Sequence, residues 1–385
     1  MKYNFDKVID RSGTSAEKVE GLKHIWGRTD LIPLWVADMD FATAPFVTDA
    51  IRKRCENEVL GYTGKPDSYY NAIINWVKQR YDLIVTKEVI NFVPGIVPGI
   101  GMAMNCFTQK GDKVMIQPPV YHPFAWVTTR NERTLVINPL KWENGMYRMD
   151  LDAFREQIKG CKLFILCNPH NPGGVVWTEA ELRAIADICY DEKVLVFSDE
   201  IHADLTLPPH THRPFATVSE KARMNSVTFM SPSKAFNMPG LSASHALIFN
   251  EDLRKRFRIY MDAGELDMGH VFAFLSVEAA YSHGTEWLDQ CLAYIQGNID
   301  FVDEFLKKHA PKIKAIRPEA SYLVWLDCRE LELSQKDLNE FFVDKAHLAL
   351  NDGEMFGKEG IGFMRLNVAS PRCIIEKAMK QLAGG

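Results

Sequence analysis

The chain has 385 residues, 46% of them hydrophobic and 25% charged, enough to bury a large core and divide into two domains. Its net charge of -5, with both signs interspersed, leaves no broad basic face for a phosphate backbone and no polybasic anchor for anionic lipid, which argues against nucleic-acid and membrane partners. No apolar run reaches the roughly 20 residues of a bilayer span, and Met1-Lys2-Tyr3-Asn4-Phe5-Asp6 lacks a signal-peptide core, so a cytoplasmic protein is expected.

In chain order, the segment through residue 45 shows little regular periodicity and several aromatics, and is expected to drape over the large domain or pack with the C-terminal one. Short apolar runs then alternate with helix-length amphipathic segments, the pattern of a parallel α/β sheet. The spacing predicts strands at 89–93, 113–117, 134–138, 162–167, 194–198, 226–230 and 245–249. It predicts helices at 46–58, 67–80, 98–108, 150–158, 178–191 and 251–260, with Thr178 and Glu181 resembling a capping box. Farther on come long helices at 271–283 and 285–308, then the strand-like Tyr322-Leu323-Val324-Trp325-Leu326 and Gly362-Phe363-Met364-Arg365-Leu366. The division expected is an N-terminal segment 1–45, a doubly wound large domain 46–284 and a smaller α+β domain 285–385.

Eight scattered cysteines with no C-x-x-C pair read as reduced thiols. The eleven histidines form no H-E-x-x-H motif, and His210-Thr211-His212, in a proline-bounded loop, reads as solvated, so no metal is expected.

Five features carry chemistry. Lys234 lies in Ser231-Pro232-Ser233-Lys234-Ala235-Phe236-Asn237, just past the run Val227-Thr228-Phe229-Met230. A strand end aims an amine at one fixed point, as holding an aldehyde cofactor in a Schiff base requires; a solvated surface lysine is the alternative. Asp199 ends the run Val194-Leu195-Val196-Phe197-Ser198, at the sheet edge where open α/β folds bind ligands. It can pair with a buried cation such as a protonated pyridine nitrogen, or simply cap a helix. Asn171, in Asn168-Pro169-His170-Asn171-Pro172-Gly173-Gly174, can hydrogen-bond a phenolate-like oxygen, or belong to a turn and nothing more. Phe92-Val93-Pro94-Gly95-Ile96-Val97-Pro98-Gly99 reads as strand, glycine turn and helix start, a ready phosphate site that is neither a P-loop nor G-x-G-x-x-G. Arg365 interrupts the apolar Phe363-Met364-Arg365-Leu366-Asn367-Val368; it can grip a carboxylate through two parallel hydrogen bonds or make an internal salt bridge.

Gly-rich turn, Asn-Pro turn, Asp strand, Lys strand and late Arg, in this order, resemble the fold-type I pyridoxal-phosphate enzymes of the aspartate aminotransferase superfamily over essentially the entire chain. Pro33-Leu34-Trp35-Val36-Ala37-Asp38-Met39-Asp40-Phe41, Ser198-to-His202 and Arg365-Leu366-Asn367-Val368-Ala369 look like the MalY/PatB group of cystathionine β-lyases. The resemblance implies an α/β, PLP-dependent transferase-like fold, its large domain built on a mostly parallel seven-stranded sheet, with pyridoxal 5'-phosphate as cofactor. It implies a catalytic set of Lys234, Asp199 and Tyr121: Lys234 bonded to the cofactor and then carrying the proton, Asp199 on the pyridine nitrogen, Tyr121 stacked on the ring. Asn171 and His202 would contact the ring oxygen, His202 standing where many aminotransferases have a tyrosine. Ile96 and Val97 would offer amides to the phosphate, Ser231 and Ser233 hydroxyls, and Tyr62 would reach it from the neighbouring subunit of a homodimer. The phosphate-binding arginine that aminotransferases carry after the lysine is replaced by Gly240-Leu241-Ser242-Ala243-Ser244. Arg365, Trp35, Ala37 and Tyr322 would border an amino-acid substrate. The implied activity is a carbon–sulfur β-lyase on cystathionine or a related cysteine conjugate. An aminotransferase of aromatic or neutral amino acids is the alternative, and a regulatory binding protein with its own protein partner a third.

Overall fold

The computed structural model describes residues 2–384. A seven-stranded sheet organises it: β1 (Ile90–Val93), β2 (Lys113–Ile116), β3 (Thr134–Ile137), β4 (Cys161–Cys167), β5 (Leu195–Asp199), β6 (Ser226–Met230) and β7 (Ser244–Leu247). Their spatial order is β1-β7-β6-β5-β4-β2-β3, and only β7 runs antiparallel to its neighbours. All seven predicted strands are present, each within a residue or two of its expected span. The inner strands are apolar on both faces because helices cover both. Leu163 and Ile165 of β4 enter a core with Ile100, Phe124 and Phe257, while Phe164 and Leu166 enter another with Phe154, Leu182 and Ile185. The edge strand β3, by contrast, is partly exposed along its length.

A smaller sheet takes the order β8 (Lys314–Ile316), β9 (Leu323–Asp327), β11 (Phe363–Asn367) and β10 (Asn351–Asp352), all antiparallel. Helix Thr285–His309 packs against it and against helix Arg372–Gly384, burying Trp287, Cys291 and Ile295 on one stripe. The capping box at Thr178 and Glu181 forms, each residue bonding the other's backbone N–H.

Three expectations are corrected. The helix predicted over 46–58 spans Pro45–Cys55, because Glu56-Asn57-Glu58 has no apolar side to bury and Arg54 instead donates to the carbonyls of Asn57 and Val59. Within the N-terminal segment, Glu17–Trp26 is helical, with acidic residues in its first turn, Lys23 and His24 in its last, and Gly27 left-handed at the end (φ 67°). Pro123–Arg130 is helical too; with eight residues it shows only Phe124 and Thr128, four apart, as its buried stripe.

Beyond helix Glu17–Trp26 the N-terminal segment becomes a strap joining both sheets. Ile32 and Pro33 pair in parallel with Leu348 and Ala349. Asn367 of β11 donates to the carbonyls of Val36 and Asp38, both at 2.7 Å. From the other side Asn237, three residues past Lys234, accepts from Met39 N and donates to the carbonyls of Met39 (3.0 Å) and Phe41 (2.7 Å). Removing this side chain unpairs strap backbone groups packed beside buried Met39 and Phe41. Asn237→Ala is therefore expected to lower unfolding free energy by about 3 kcal/mol in chemical denaturation.

Candidate active site

A parallel strand ends where its loop begins, so the carboxyl edges of β1, β4, β5 and β6 deliver four loops to one place. Antiparallel β7 contributes its start instead: Ser244 lies opposite Val93. The resulting cavity of about 200 Å³ is bordered by Gly95 to Pro98 after β1, Asn171 after β4, Asp199 and His202 after β5, and Ser233 and Lys234 after β6. Ser242, Ala243 and Ser244 close it from β7, Tyr121 from the turn before helix Pro123–Arg130, and Ala37 from the strap.

At one end, helix Ile96–Phe107 opens with Gly95 at φ 137°, a conformation suited to glycine, and no side chain caps it. Pro98 has no N–H, so the amides of Ile96 and Val97 are left as the open donors of the first turn, where the helix dipole favours an anion.

At the other end, burial governs the charges. Lys234 Nζ donates to the Ala37 carbonyl at 2.6 Å, and desolvation brings its pKa down to about 8 against the pull of Asp38 and Asp199. Desolvation also pushes Asp199 up to about 7; one of its oxygens accepts from Ile201 N at 3.1 Å, so the carboxylate does cap the following turn while its other oxygen stays free for a ligand. His202 is held neutral, its pKa down to about 3 through burial and the nearby Lys234 and Arg365, and its Nδ1 has no partner.

Arg365 pairs with no carboxylate among the described residues. It donates to Trp35 O (3.0 Å), to Asn171 Oδ1 (3.2 Å) and to Asn351 Oδ1, with Phe356 4.9 Å from the guanidinium, and its Nε is buried without an acceptor. Burial lowers its pKa to about 10. The salt-bridge alternative for this residue is thereby set aside: a buried guanidinium with an idle donor fits an incoming carboxylate.

Not every expected residue reaches the cavity. The Ser231 hydroxyl donates to Ala243 O at 2.7 Å and accepts from Ser233 N, so it braces the loop. Trp35 meets Arg365 through its carbonyl, while its indole donates to Lys18 O. Tyr322 is fully buried and donates to Ala37 O at 2.9 Å, sharing that acceptor with Lys234. Tyr62 is 100% exposed in the irregular stretch 56–66, away from its own chain's cavity. Sequence reasoning missed Ser242 and Ser244, whose places follow from the antiparallel run of β7. It also took His212 for a solvated residue; His212 is buried against Glu200, since β5 and the 210–214 loop pack together, while His210 stays exposed.

Amides and hydroxyls at one end, with an amine and a buried carboxylate at the other, suit a phosphorylated pyridine aldehyde: each end has donors or charge without a protein partner. No group of three metal-ligating side chains occurs among the described residues, nor any helix long and apolar enough to cross a membrane.

The family model for aminotransferase class I and II matches residues 29–382. Cystathionine beta-lyase PatB of Bacillus subtilis is 38% identical over 98% of both chains, and Protein MalY of Escherichia coli 30% identical over 99% of this chain and 98% of its own. The structure of a PLP-bound putative aminotransferase from Clostridium difficile superposes with a TM-score of 0.97, at 40% identity, over 100% of this chain and 99% of that one. The chain belongs to the aminotransferase class I and II family, and within it to the MalY/PatB group.

The depressed basicity of Lys234 is open to measurement in protein freed of cofactor. Its acylation, followed by peptide mass spectrometry, should reach half its limiting rate near pH 8, where exposed lysines are still almost wholly protonated. A profile that tracks the exposed lysines would show that burial does not act on this amine.

Proposed function

We propose that the protein is a pyridoxal-phosphate-dependent carbon–sulfur β-lyase, which converts an S-substituted cysteine such as cystathionine, with water, into pyruvate, ammonia and a thiol. The observation that carries this reading is the buried Lys234 amine with lowered basicity, in one cavity with Asp199 and near an Arg365 that lacks a carboxylate partner. The likeness to PatB over nearly both whole chains supports the choice of a lyase.

When bound, the cofactor supplies an electron-withdrawing ring that makes the substrate Cα–H bond acidic. The protein's groups do the rest. The amides of Ile96 and Val97, with the hydroxyls of Ser233, Ser242 and Ser244, hold the phosphate, and Ser231 keeps Ser233 in place. With the cofactor bound, Asp199 would set its negative charge against the ring nitrogen, Asn171 and His202 would serve the ring oxygen, and Tyr121 would pack on the ring. Arg365 grips the α-carboxylate, steadied by Asn171 and Asn351, while Ala37 and Tyr322 shape the wall beside Lys234. Lys234 Nζ, close to half neutral at pH 8, takes the Cα proton, and the electrons released expel sulfur from Cβ as a thiolate. The enamine set free loses its nitrogen to water as ammonia and becomes pyruvate.

The same placement serves transamination, and the likeness to the Clostridium difficile protein favours that as the second reading. The two part on products. Incubation with cystathionine should yield pyruvate and ammonia without any added keto acid, and Lys234→Ala should reduce the rate about 10³-fold or more. Amino transfer that needs a keto acid and releases no ammonia would instead establish the aminotransferase.

The active entity is a homodimer in this reading. Tyr62 is wholly exposed, with exposed Val59 and Leu60 beside it, which suits an arm reaching the phosphate end of a neighbouring cavity. A large unit of 46–284 carries the cofactor, 285–385 the substrate arginine, and 1–45 the strap between them. Thiols that fill the core, Cys189 and Cys291 among them, suit a cytoplasmic setting. If the site is shared, Tyr62→Ala and Lys234→Ala proteins, each weak alone, should regain about a quarter of wild-type activity after subunit exchange, because half the dimers then hold one intact site. Absence of any recovery would refute the shared site.

A further inference from the structure

Three carboxylates, Asp199 at the end of β5 and Glu200 and Asp204 just beyond it, are buried close together along the chain. Such crowding raises the energy of every ionised member unless each has its own donors. Asp204 has the indole N–H of Trp76 at 3.0 Å, the Tyr81 hydroxyl and, at 3.9 Å, Arg80; it is also close enough to His212 to feel that ring, on which Tyr81 packs at 5.5 Å. Asp199 faces Lys234, with Cys167 and Tyr121 close enough to feel its charge, and is left for the ring nitrogen. Glu200, with a wholly buried side chain, has a separate cradle. Ser198 Oγ donates to its Oε1 at 2.7 Å, Phe215 N to the same oxygen at 2.8 Å, and His212 Nε2 to Oε2 at 2.8 Å.

This arrangement does nothing in the reaction as described above. It joins the turn bearing Asp199 and His202 to the 210–214 loop, which Asn168 also holds by donating to Arg213 O at 3.1 Å. Glu200 adds to the charge that opposes ionisation of Asp199.

We propose that Glu200 and His212 are positioning residues whose pairing keeps the Glu200 charge drawn away from Asp199, so that they set the pH above which Asp199 accepts a cationic ring nitrogen. The inference rests on the cofactor reading given above. A cradle that served packing alone would affect stability and affinity at every pH alike; an electrostatic one moves a titration, and in opposite directions for its two members. Deleting the charge of Glu200 makes Asp199 easier to ionise, whereas deleting His212 leaves Glu200 less compensated and makes Asp199 harder to ionise.

The test titrates pyridoxal phosphate into the stripped chain between pH 5.5 and 9, following absorbance and fluorescence. In wild type, the dissociation constant should rise as pH falls through the Asp199 pKa, near 7. Glu200→Gln, which keeps the shape and can still accept from Ser198 and Phe215, should shift that break downward by about one pH unit and so tighten binding at pH 6 by about fivefold. His212→Phe should shift it upward by about one pH unit, with about fivefold weaker binding at pH 7. Should His212→Phe not fold, the Glu200→Gln shift decides alone. Breaks that stay at the wild-type pH, or that move the same way in both variants, overturn the proposal while leaving the cofactor reading intact. A wild-type chain that binds no pyridoxal phosphate overturns both.

Discussion

Lys234 and Asp199, at the carboxyl edge of the large sheet, and Arg365, on β11 of the smaller one, are kept from water, and desolvation is the largest influence on each: it makes the amine less basic, the carboxyl less acidic and the guanidinium easier to deprotonate. None of the three is matched by a full ion pair inside the protein. Their charges are incomplete without a bound partner, so the energy spent in burying them becomes selectivity for molecules bearing the complementary groups. A phosphorylated pyridine aldehyde and an amino acid would together offer one for each: a cationic ring nitrogen for Asp199, an aldehyde carbon or an acidic Cα–H for Lys234, and a carboxylate for Arg365.

Holding such groups apart requires rigid supports, and the fold provides them through backbone rather than side-chain flexibility. Asp199 and Lys234 follow adjacent parallel strands, and Asn171 follows the next strand over, so their separations are set by strand spacing. Arg365 comes from a different sheet. What holds it beside that cavity is the strap of residues 34–43, whose carbonyls accept from Arg365, Asn367, Lys234, Tyr322 and Asn237. A buried Lys18, 0% exposed and 2.9 Å from Asp40, with Arg11 bridging Asp38 and Asp40, pins the strap from its outer side. Small displacements of the strap would therefore reach the substrate clamp and the amine together.

Much of this was legible beforehand, for a physical reason. Strands buried on both faces are largely apolar, so the inner strands of the large sheet stood out as short hydrophobic runs, and the ends of those runs marked Asp199, Asn171 and Lys234. Elements less visible were those with a narrow buried stripe, such as helix Pro123–Arg130, or those whose burial comes from distant partners, such as helix Glu17–Trp26. His212 was misjudged because its neighbours, prolines and polar residues, describe a surface loop; only the packing of that loop on Glu200 makes it internal.

By itself, the order of residues determined which groups lie at the ends of the apolar runs and hence the parts list of the site, since hydrophobic periodicity and turn chemistry are local properties of a chain. Tertiary structure decided which parts meet. The reversal of β7 turned Ser242 and Ser244 inward, the bond to Ala243 turned the Ser231 hydroxyl aside, and the strap gave Lys234 and Tyr322 one carbonyl to share. Those outcomes depend on contacts between residues up to 285 positions apart, and no window of sequence contains both partners.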